Sequence, residues 1–149
     1  MITQVDADNY YKFDAMIKTR MTGSLCMPKE GAELDKKLAS ALLTPGFYAF
    51  AAEEEGIFAG YICLIYIPKL GKYNGTGHLF VDELWVMPEY RRRGLARALM
   101  DRAEELARAV GAGGLRLYVN TENPGAQALY SGCGYGIDCS ALFMEKTLN

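Results

Sequence analysis

Hydrophobic and polar residues alternate along this chain with periods that predict a mixed α/β fold. The apolar run at residues 57–67 predicts a central strand, because it is hydrophobic on both faces. Residues 47–52 and 78–86 predict two further strands. Apolar residues between Leu95 and Val110 recur at helical spacing, so a tight turn followed by a long amphipathic helix should come after the last of these strands.

Weaker signals complete the predicted order of elements. They are a strand at 2–5, a helix at 8–21 with Asp8 as its N-cap, a helix at 31–43, a loop at 68–77, a strand at 115–119, a short helix ending near 132, and a C-terminal β pair at 135–138 and 141–146. The resulting order, β-α-α-β-β-β-α-β-α-β-β, predicts one domain over residues 1–149. Its fold class is α/β, a mixed sheet with helices on both faces.

Composition is that of an ordinary globular protein. Of the 149 residues, 50% are hydrophobic and 23% charged, and the net charge of −2 gives no reason to expect nucleic acid or a membrane as a partner. The apolar run at 57–67 is short for a membrane helix, and the first residues lack the pattern of a signal peptide, so a cytoplasmic location is expected. The four cysteines form no CxxC pair, which predicts reduced, mostly buried thiols and no metal site. His78 is expected to be an exposed polar residue.

The turn before the long helix has the features of an anion-binding site. Three successive arginines, Arg91 to Arg93, lead into Gly94, Leu95 and Ala96. A helix that begins here leaves its first N–H groups without internal partners, and its dipole adds positive charge at the same place. The small residues Gly94 and Ala96 leave room there, which predicts a phosphate or pyrophosphate seat. The GxGxxG and GxxxxGK[ST] patterns are both absent, and a plain turn with a solvated basic face remains the alternative.

Two motifs together resemble the GNAT superfamily of N-acetyltransferases. Residues 91–96 (RRRGLA) match its [QR]xxGx[GA] pattern, and residues 123–135 (NPGAQALYSGCGY) match NxxAxxLYxxxG[FY]. The resemblance covers about residues 79–148 and implies the GNAT fold. It also implies acetyl-CoA as the cosubstrate, without a metal. The expected acceptor is a primary amine of a small molecule or peptide, whose identity the sequence does not give, and a homodimer is one candidate assembly.

The resemblance further implies which residues hold the cofactor. They are Trp85, Val86, Arg91, Arg92, Arg93, Gly94, Leu95, Ala96, Arg97 and Asn123. The backbone amides of residues 92–97 are expected to bind the pyrophosphate, and the strand backbone at Trp85 and Val86 the pantetheine arm. The side chain of Trp85 is equally compatible with a place in the core.

Two of these residues have an alternative role. Arg91 is expected either to reach a phosphate or to pair with a surface carboxylate such as Glu89. Asn123 is expected to cap a helix, because Pro124 suits the first helical position, and a cofactor contact would be an added role.

Three residues are candidates for the chemistry. Tyr130 has a phenol of pKa about 10 that could protonate the departing thiolate, and packing against Leu129 and Tyr135 is the alternative. Asp82 and Glu83 are the only acids in the strand at 78–86, and strand alternation should point one of them into the cofactor cleft. Either carboxylate could take the proton of the amine, with Glu83 preferred, and a strand-end salt bridge is the alternative.

These candidates indicate direct transfer in a ternary complex, because no residue has an obvious acyl-enzyme role. A non-catalytic module that binds coenzyme A or a partner on the same fold is a second interpretation, opposed by Tyr130 and the glycine turn. A different nucleotide-binding α/β protein is a third, opposed by the motif at residues 123–135. A turnover assay separates the first interpretation from the second.

Overall fold

The structure, a computed structural model, describes residues 1–31, 40–71 and 76–148. Its elements are β1 (Ile2–Gln4), α1 (Tyr10–Thr22), β2 (Phe47–Glu54), β3 (Ile57–Ile67), β4 (His78–Val86), α2 (Leu95–Ala109), β5 (Leu115–Leu117) and α3 (Pro124–Gly132). Short 3₁₀ helices lie at Ser40–Leu43 and Pro88–Tyr90. The chain forms two compact units, Met1–Tyr118 and Val119–Asn149.

The first unit is built on a five-stranded mixed sheet in the order β1-β2-β3-β4-β5. The first four strands pair antiparallel, and β5 adds to β4 in parallel. The predicted central strand is confirmed, because β3 lies in the middle of the sheet and is buried from Ile57 to Leu64. An apolar strand in this position removes both of its faces from water, which explains why it lacks a polar face.

Within the described residues, α1 covers one face of this sheet and α2 the other, and helices on both faces are what the sequence predicts. Alternation along β3 turns Tyr61 and Cys63 toward α1, where they share a core cluster with Met16. The intervening Ile62 is fully buried on the opposite face, where α2 packs through Leu99. In the described part of the first unit, the sheet thus lies between α1 and α2.

The observed start of α1 differs from the predicted one. Asp8 is not the N-cap, since the helix begins at Tyr10 and its N-cap residue, Asn9, makes no side-chain capping bond. Instead, Asp6 Oδ1 accepts hydrogen bonds from the N–H groups of Asp8 and Asn9, so a turn occupies the place where a longer helix was expected.

Two other predictions concern segments that the structure describes only in part. Most of the predicted helix at 31–43 lies outside the described residues, apart from the 3₁₀ turn Ser40–Leu43. The middle of the predicted loop, residues 72–75, also lies outside them.

The predicted C-terminal β pair is wrong for the chain as described. Residues 135–148 contain no strand, and the apolar side chains Ile137, Leu142, Phe143 and Met144 are exposed. Short apolar runs of this kind are typical of strands, but a strand forms only where a second backbone satisfies its N–H and C=O groups. A pattern within one segment does not supply that partner.

Burial also corrects two expectations about single residues. All four cysteines are reduced thiols, but only Cys63 is buried, while Cys139 is exposed. His78 is not exposed, since only 7% of its surface is accessible at the start of β4. Burial, together with the cations Arg116 and Lys69, lowers the pKa of His78, so its imidazole is neutral at physiological pH.

This burial predicts an acid-sensitive contribution to stability. In the unfolded chain a histidine takes up a proton near pH 6.5, whereas folded His78 does so only at lower pH. Folding should therefore lose stability as pH falls through about 6.5, because the unfolded chain then binds a proton that folded His78 does not. Because the chain has one histidine, the variant His78→Leu should remove this component. Urea unfolding of both proteins across this pH range would measure it, and parallel pH profiles would contradict the prediction.

Candidate functional site

The strand β4 has an open edge that leads into the glycine turn. Its pairing with β3 continues to Val86 opposite Gly60, whereas its pairing with β5 ends at Val81 opposite Leu117. Within the described residues, no strand pairs with the other edge of β4 from Asp82 to Val86. Backbone N–H and C=O groups on such an edge are ready hydrogen-bonding partners for an extended ligand.

The pairing of β4 with β3 contains a β-bulge next to the point where β4 and β5 separate. Cys63 lies opposite Glu83 and Leu64 lies opposite Val81, so Asp82 is an extra residue without a partner position. The regular alternation assumed from the sequence is therefore interrupted between the two acids. Both are exposed, and partial burial and the charge of Glu83 raise the pKa of the Asp82 carboxyl. A raised pKa makes Asp82 a better proton acceptor than an ordinary aspartate.

Glu83 has a different environment from Asp82. Its Oε2 accepts a hydrogen bond from the Tyr61 hydroxyl at 3.0 Å, and that hydroxyl in turn accepts one from Arg20 Nη1. Burial and the charge of Glu83 raise the pKa of Tyr61, so its hydroxyl stays protonated and can donate. Arg20 Nη1 also lies 3.8 Å from Glu83 Oε1. The carboxylate of Glu83 is thus fixed by a chain of polar contacts.

Sequence reasoning missed Arg20 and Tyr61 as parts of this site. Arg20 lies in the last turn of α1, and its guanidinium is 5.4 Å from the ring centre of Trp85 and 5.9 Å from that of Tyr61. Trp85 packs against the α1 side of the core, in agreement with the packing role that its sequence position allowed. No local motif marks the arginine, because its partners come from two distant strands.

The glycine turn exposes the start of α2. Gly94 has φ +79°, and a side chain there would meet no atom within 4 Å, so the space in front of the turn is open. Among the described residues, the first helical N–H that finds a backbone carbonyl is that of Ala98, which donates to Gly94 at 3.0 Å. The N–H groups of Leu95, Ala96 and Arg97 remain for a ligand. This geometry fits an anion such as a pyrophosphate.

The arginine side chains in the turn bond to its own backbone. Arg91 Nε donates to the carbonyl of Val86 at 2.9 Å, a contact that neither alternative for this residue anticipated. Arg93 Nη2 donates to the Glu89 carbonyl at 3.3 Å, and its guanidinium lies 4.8 Å from the Tyr90 ring centre. These bonds tie the turn to the end of β4. Pyrophosphate binding would then fall mainly to backbone amides.

The second unit contains the two remaining candidates, Asn123 and Tyr130. Asn123 Oδ1 accepts the N–H of Ala126 at 3.0 Å, which confirms the predicted helix cap before Pro124. Tyr130 is half-buried, with its ring 6.1 Å from that of Tyr135. Burial raises the pKa of Tyr130, so its phenol stays protonated and can act as a hydrogen-bond donor or acid. Roles for both residues toward a cofactor stay predictions.

Three further observations concern metal ligands, membrane helices and cysteine in the part of the chain that is described. It contains no group of three or more histidine, cysteine, aspartate or glutamate side chains that could hold a metal ion. No helix in that part is long and apolar enough to cross a membrane. Burial raises the pKa of Cys63 to about 12, so the thiol opposite Glu83 is protonated and a poor nucleophile at neutral pH.

Comparison with known families agrees with the two sequence motifs. The family model described as "Acetyltransferase (GNAT) family" matches residues 16–135. Mycothiol acetyltransferase of Kineococcus radiotolerans is 38% identical over 94 residues, which are 63% of this chain and 28% of that protein. The chain spans between about a fifth and a half of the length of the curated relatives it matches.

Solved structures share the fold over nearly the whole chain. An aminoglycoside acetyltransferase from an uncultured soil metagenomic sample has a TM-score of 0.81 and 16% identity, covering 100% of this chain and 96% of that one. Aminoglycoside N-acetyltransferase AAC(6')-Iy in complex with CoA has a TM-score of 0.77 and 16% identity, covering 99% and 100%. At these identities the likeness concerns the fold alone.

Proposed function

Because the chain belongs to the GNAT family of acetyltransferases, we propose that it moves the acetyl group of acetyl-CoA to a primary amine. The transfer is direct, within a ternary complex of the protein, acetyl-CoA and the amine. The observation that carries this proposal is the edge of β4, which runs past two acids into a turn whose first helix N–H groups have no backbone partner among the described residues.

The residues at this edge fit coenzyme A. Backbone amides of residues 92–97 would bind the pyrophosphate, and the open space at Gly94 would admit it. The strand backbone at Trp85 and Val86 would pair with the amide groups of the pantetheine arm. Bound in this way, acetyl-CoA supplies an acetyl thioester as the group donor.

The two acids have different roles toward the amine. An alkylamine with a pKa near 10 is a cation at neutral pH and must lose a proton before it can attack. Glu83, held by Tyr61 and Arg20, binds the ammonium. Asp82, and not Glu83 as preferred from the sequence, accepts the proton directly or through a water, because its carboxyl pKa is raised.

Tyr130 acts at the end of the reaction. Its protonated phenol donates to the sulfur as the thiolate leaves, which lowers the charge that must develop there. Direct attack by the amine agrees with the environment of Cys63, whose raised pKa disfavours an acetylated thiol intermediate.

Substitution at Gly94 tests the cofactor seat. Acetyl-CoA at about 100 times its dissociation constant should raise the melting temperature by roughly 5–10 °C. Gly94→Glu should abolish this shift, because its carboxylate would occupy the open space and repel a phosphate. Gly111→Glu is the matched control, since Gly111 also has a positive φ (+71°) and open space but lies at the far end of α2. A full shift in Gly94→Glu would move the cofactor to another site.

The pH dependence of activity in two variants distinguishes the roles proposed for Asp82 and Glu83. Asp82→Asn should lower kcat/KM by about 10²–10⁴ near pH 6–7, where the amine arrives protonated, and much less at about pH 9–10. Glu83→Gln should mainly raise KM for the amine. Steady-state rates of thiol release across this pH range would measure both effects. Small and equal effects of the two substitutions would reduce both acids to structural roles.

Tyr130→Phe tests the proposed acid. The substitution keeps the ring and removes only the hydroxyl, so packing on Tyr135 is retained. Because a thiolate is already a good leaving group, the loss should be near the low end for general acids, about 10²-fold. Single-turnover rates would measure the chemistry, while acetyl-CoA affinity should change by about tenfold at most. Tyr135→Phe serves as the control. A full single-turnover rate in Tyr130→Phe would show that the sulfur leaves unaided.

A further inference from the structure

A cluster of charged and aromatic side chains lies beside the proposed cofactor edge and offers a criterion for the acceptor. Its members are Arg20, Tyr61, Glu83 and Trp85. We propose that this cluster is a two-charge acceptor site, in which Glu83 binds the amine and Arg20 binds a carboxylate next to it. The acceptor class is then an α-amino acid or another amine with an adjacent carboxylate. This inference rests on the proposed function.

Arg20 has hydrogen-bonding capacity left for a ligand. Within the described residues, its one side-chain hydrogen bond is from Nη1 to the Tyr61 hydroxyl, whereas a guanidinium offers several N–H donors. The 3.8 Å between Nη1 and Glu83 Oε1 is longer than a charge-assisted hydrogen bond. The Arg20 side chain is 40% exposed, so solvent or a ligand can reach it. A structural ion pair would be expected to use this guanidinium more fully.

The spacing of the two charges matches a compact zwitterion. Arg20 and Glu83 present opposite charges side by side, as do the carboxylate and ammonium of an α-amino acid. Glu83 Oε2 accepts a hydrogen bond from the Tyr61 hydroxyl. The Glu83 side chain is 49% exposed, which leaves its other oxygen, Oε1, accessible to an ammonium. The neighbouring carboxylate of Asp82 keeps the site anionic overall, so affinity for the amine is preserved.

Aromatic rings hold the guanidinium of Arg20. The guanidinium lies over the rings of Trp85 and Tyr61, and Phe13 packs edge-on against Tyr61 at 5.1 Å. These contacts hold the charge of Arg20 in place before a ligand arrives, which lowers the entropy cost of binding. A polyamine, in contrast, would bring a second ammonium close to Arg20 and be repelled.

The alternative is that Arg20 only holds the side chains of Tyr61 and Glu83 in position and does not bind the acceptor. The two roles differ in one respect: a positioning role affects every amine, whereas carboxylate binding affects only acceptors that carry the carboxylate. Leucine and lysine, each compared with its own methyl ester, provide this contrast. The esters keep the shape near the amine and lose the negative charge.

Binding can be observed without turnover. Trp85 is the only tryptophan of the chain and lies under the Arg20 guanidinium, so its fluorescence should report occupancy of the site. Titrations would contain coenzyme A, which has no acetyl group to transfer. Thiol release with acetyl-CoA would supply kcat/KM for the same acceptors. The effect of each substitution is compared within one acceptor, because the ester and acid amines differ in intrinsic reactivity.

We expect Arg20→Gln to weaken binding and lower kcat/KM by about tenfold to a hundredfold for the free amino acids, and by about twofold or less for the esters. Arg20→Lys keeps the charge and should retain part of the preference. Lys18→Gln is the matched control, since Lys18 is an exposed cation of the same helix that pairs with Asp14. It should leave acids and esters unchanged.

Equal losses for acids and esters in Arg20→Gln would overturn the proposal and leave Arg20 with a positioning role. So would a wild-type protein that binds leucine no better than its ester. Failure of the proposed function looks different: no amine would release thiol from acetyl-CoA. An Arg20-dependent preference for carboxylates in the fluorescence titration would still support the site in that case, and its absence would refute it.

Discussion

The separation of β4 from β5 after Val81 is the constraint on which the rest of the candidate site depends. If β5 continued to pair, the backbone groups from Asp82 to Val86 would be consumed by the sheet, and no ligand could add to this edge. The bulge at Asp82 accompanies this separation and places the two acids where the edge opens. The end of the β4–β5 pairing and the bulge in the β3–β4 pairing thus bring an open edge and two acids to the same part of β4.

Local patterns predicted the elements that local interactions determine. The strand β3, the glycine turn and α2 follow from an apolar run, small residues and helical spacing, and their observed bounds agree with the prediction within about a residue. The hydrogen bond between Arg20 and Tyr61 spans 41 residues, and that between Tyr61 and Glu83 spans 22. Such contacts depend on strand register and helix docking, which a single sequence does not specify. The prediction of a C-terminal β pair was wrong for the same reason. An apolar run can indicate a strand, but it does not specify the second strand with which the first must pair.

The three arginines of the turn show how charge in a sequence can mislead about charge in a site. Their spacing suggests phosphate ligands, yet Arg91 and Arg93 donate to backbone carbonyls of the strand end and the 3₁₀ turn. Arg92 itself adopts φ +61°, a conformation that costs a non-glycine residue about 1 kcal/mol or more. The side-chain bonds hold the turn in a shape that points helix amides outward. The helix amides are already ordered in the folded protein, so a bound anion need not order them.

Trp85 connects the two halves of the proposed chemistry. Its side chain packs against the core beneath Arg20, next to the proposed acceptor site, while its backbone belongs to the edge proposed for the cofactor. A ligand on that edge and an amine at Glu83 would therefore approach the same short stretch of β4 from different directions. Direct transfer needs this convergence, because the amine must reach the thioester without a carrier residue. The protonated Cys63, opposite Glu83 on the neighbouring strand, fits a site that brings two substrates together rather than one that stores an acyl group.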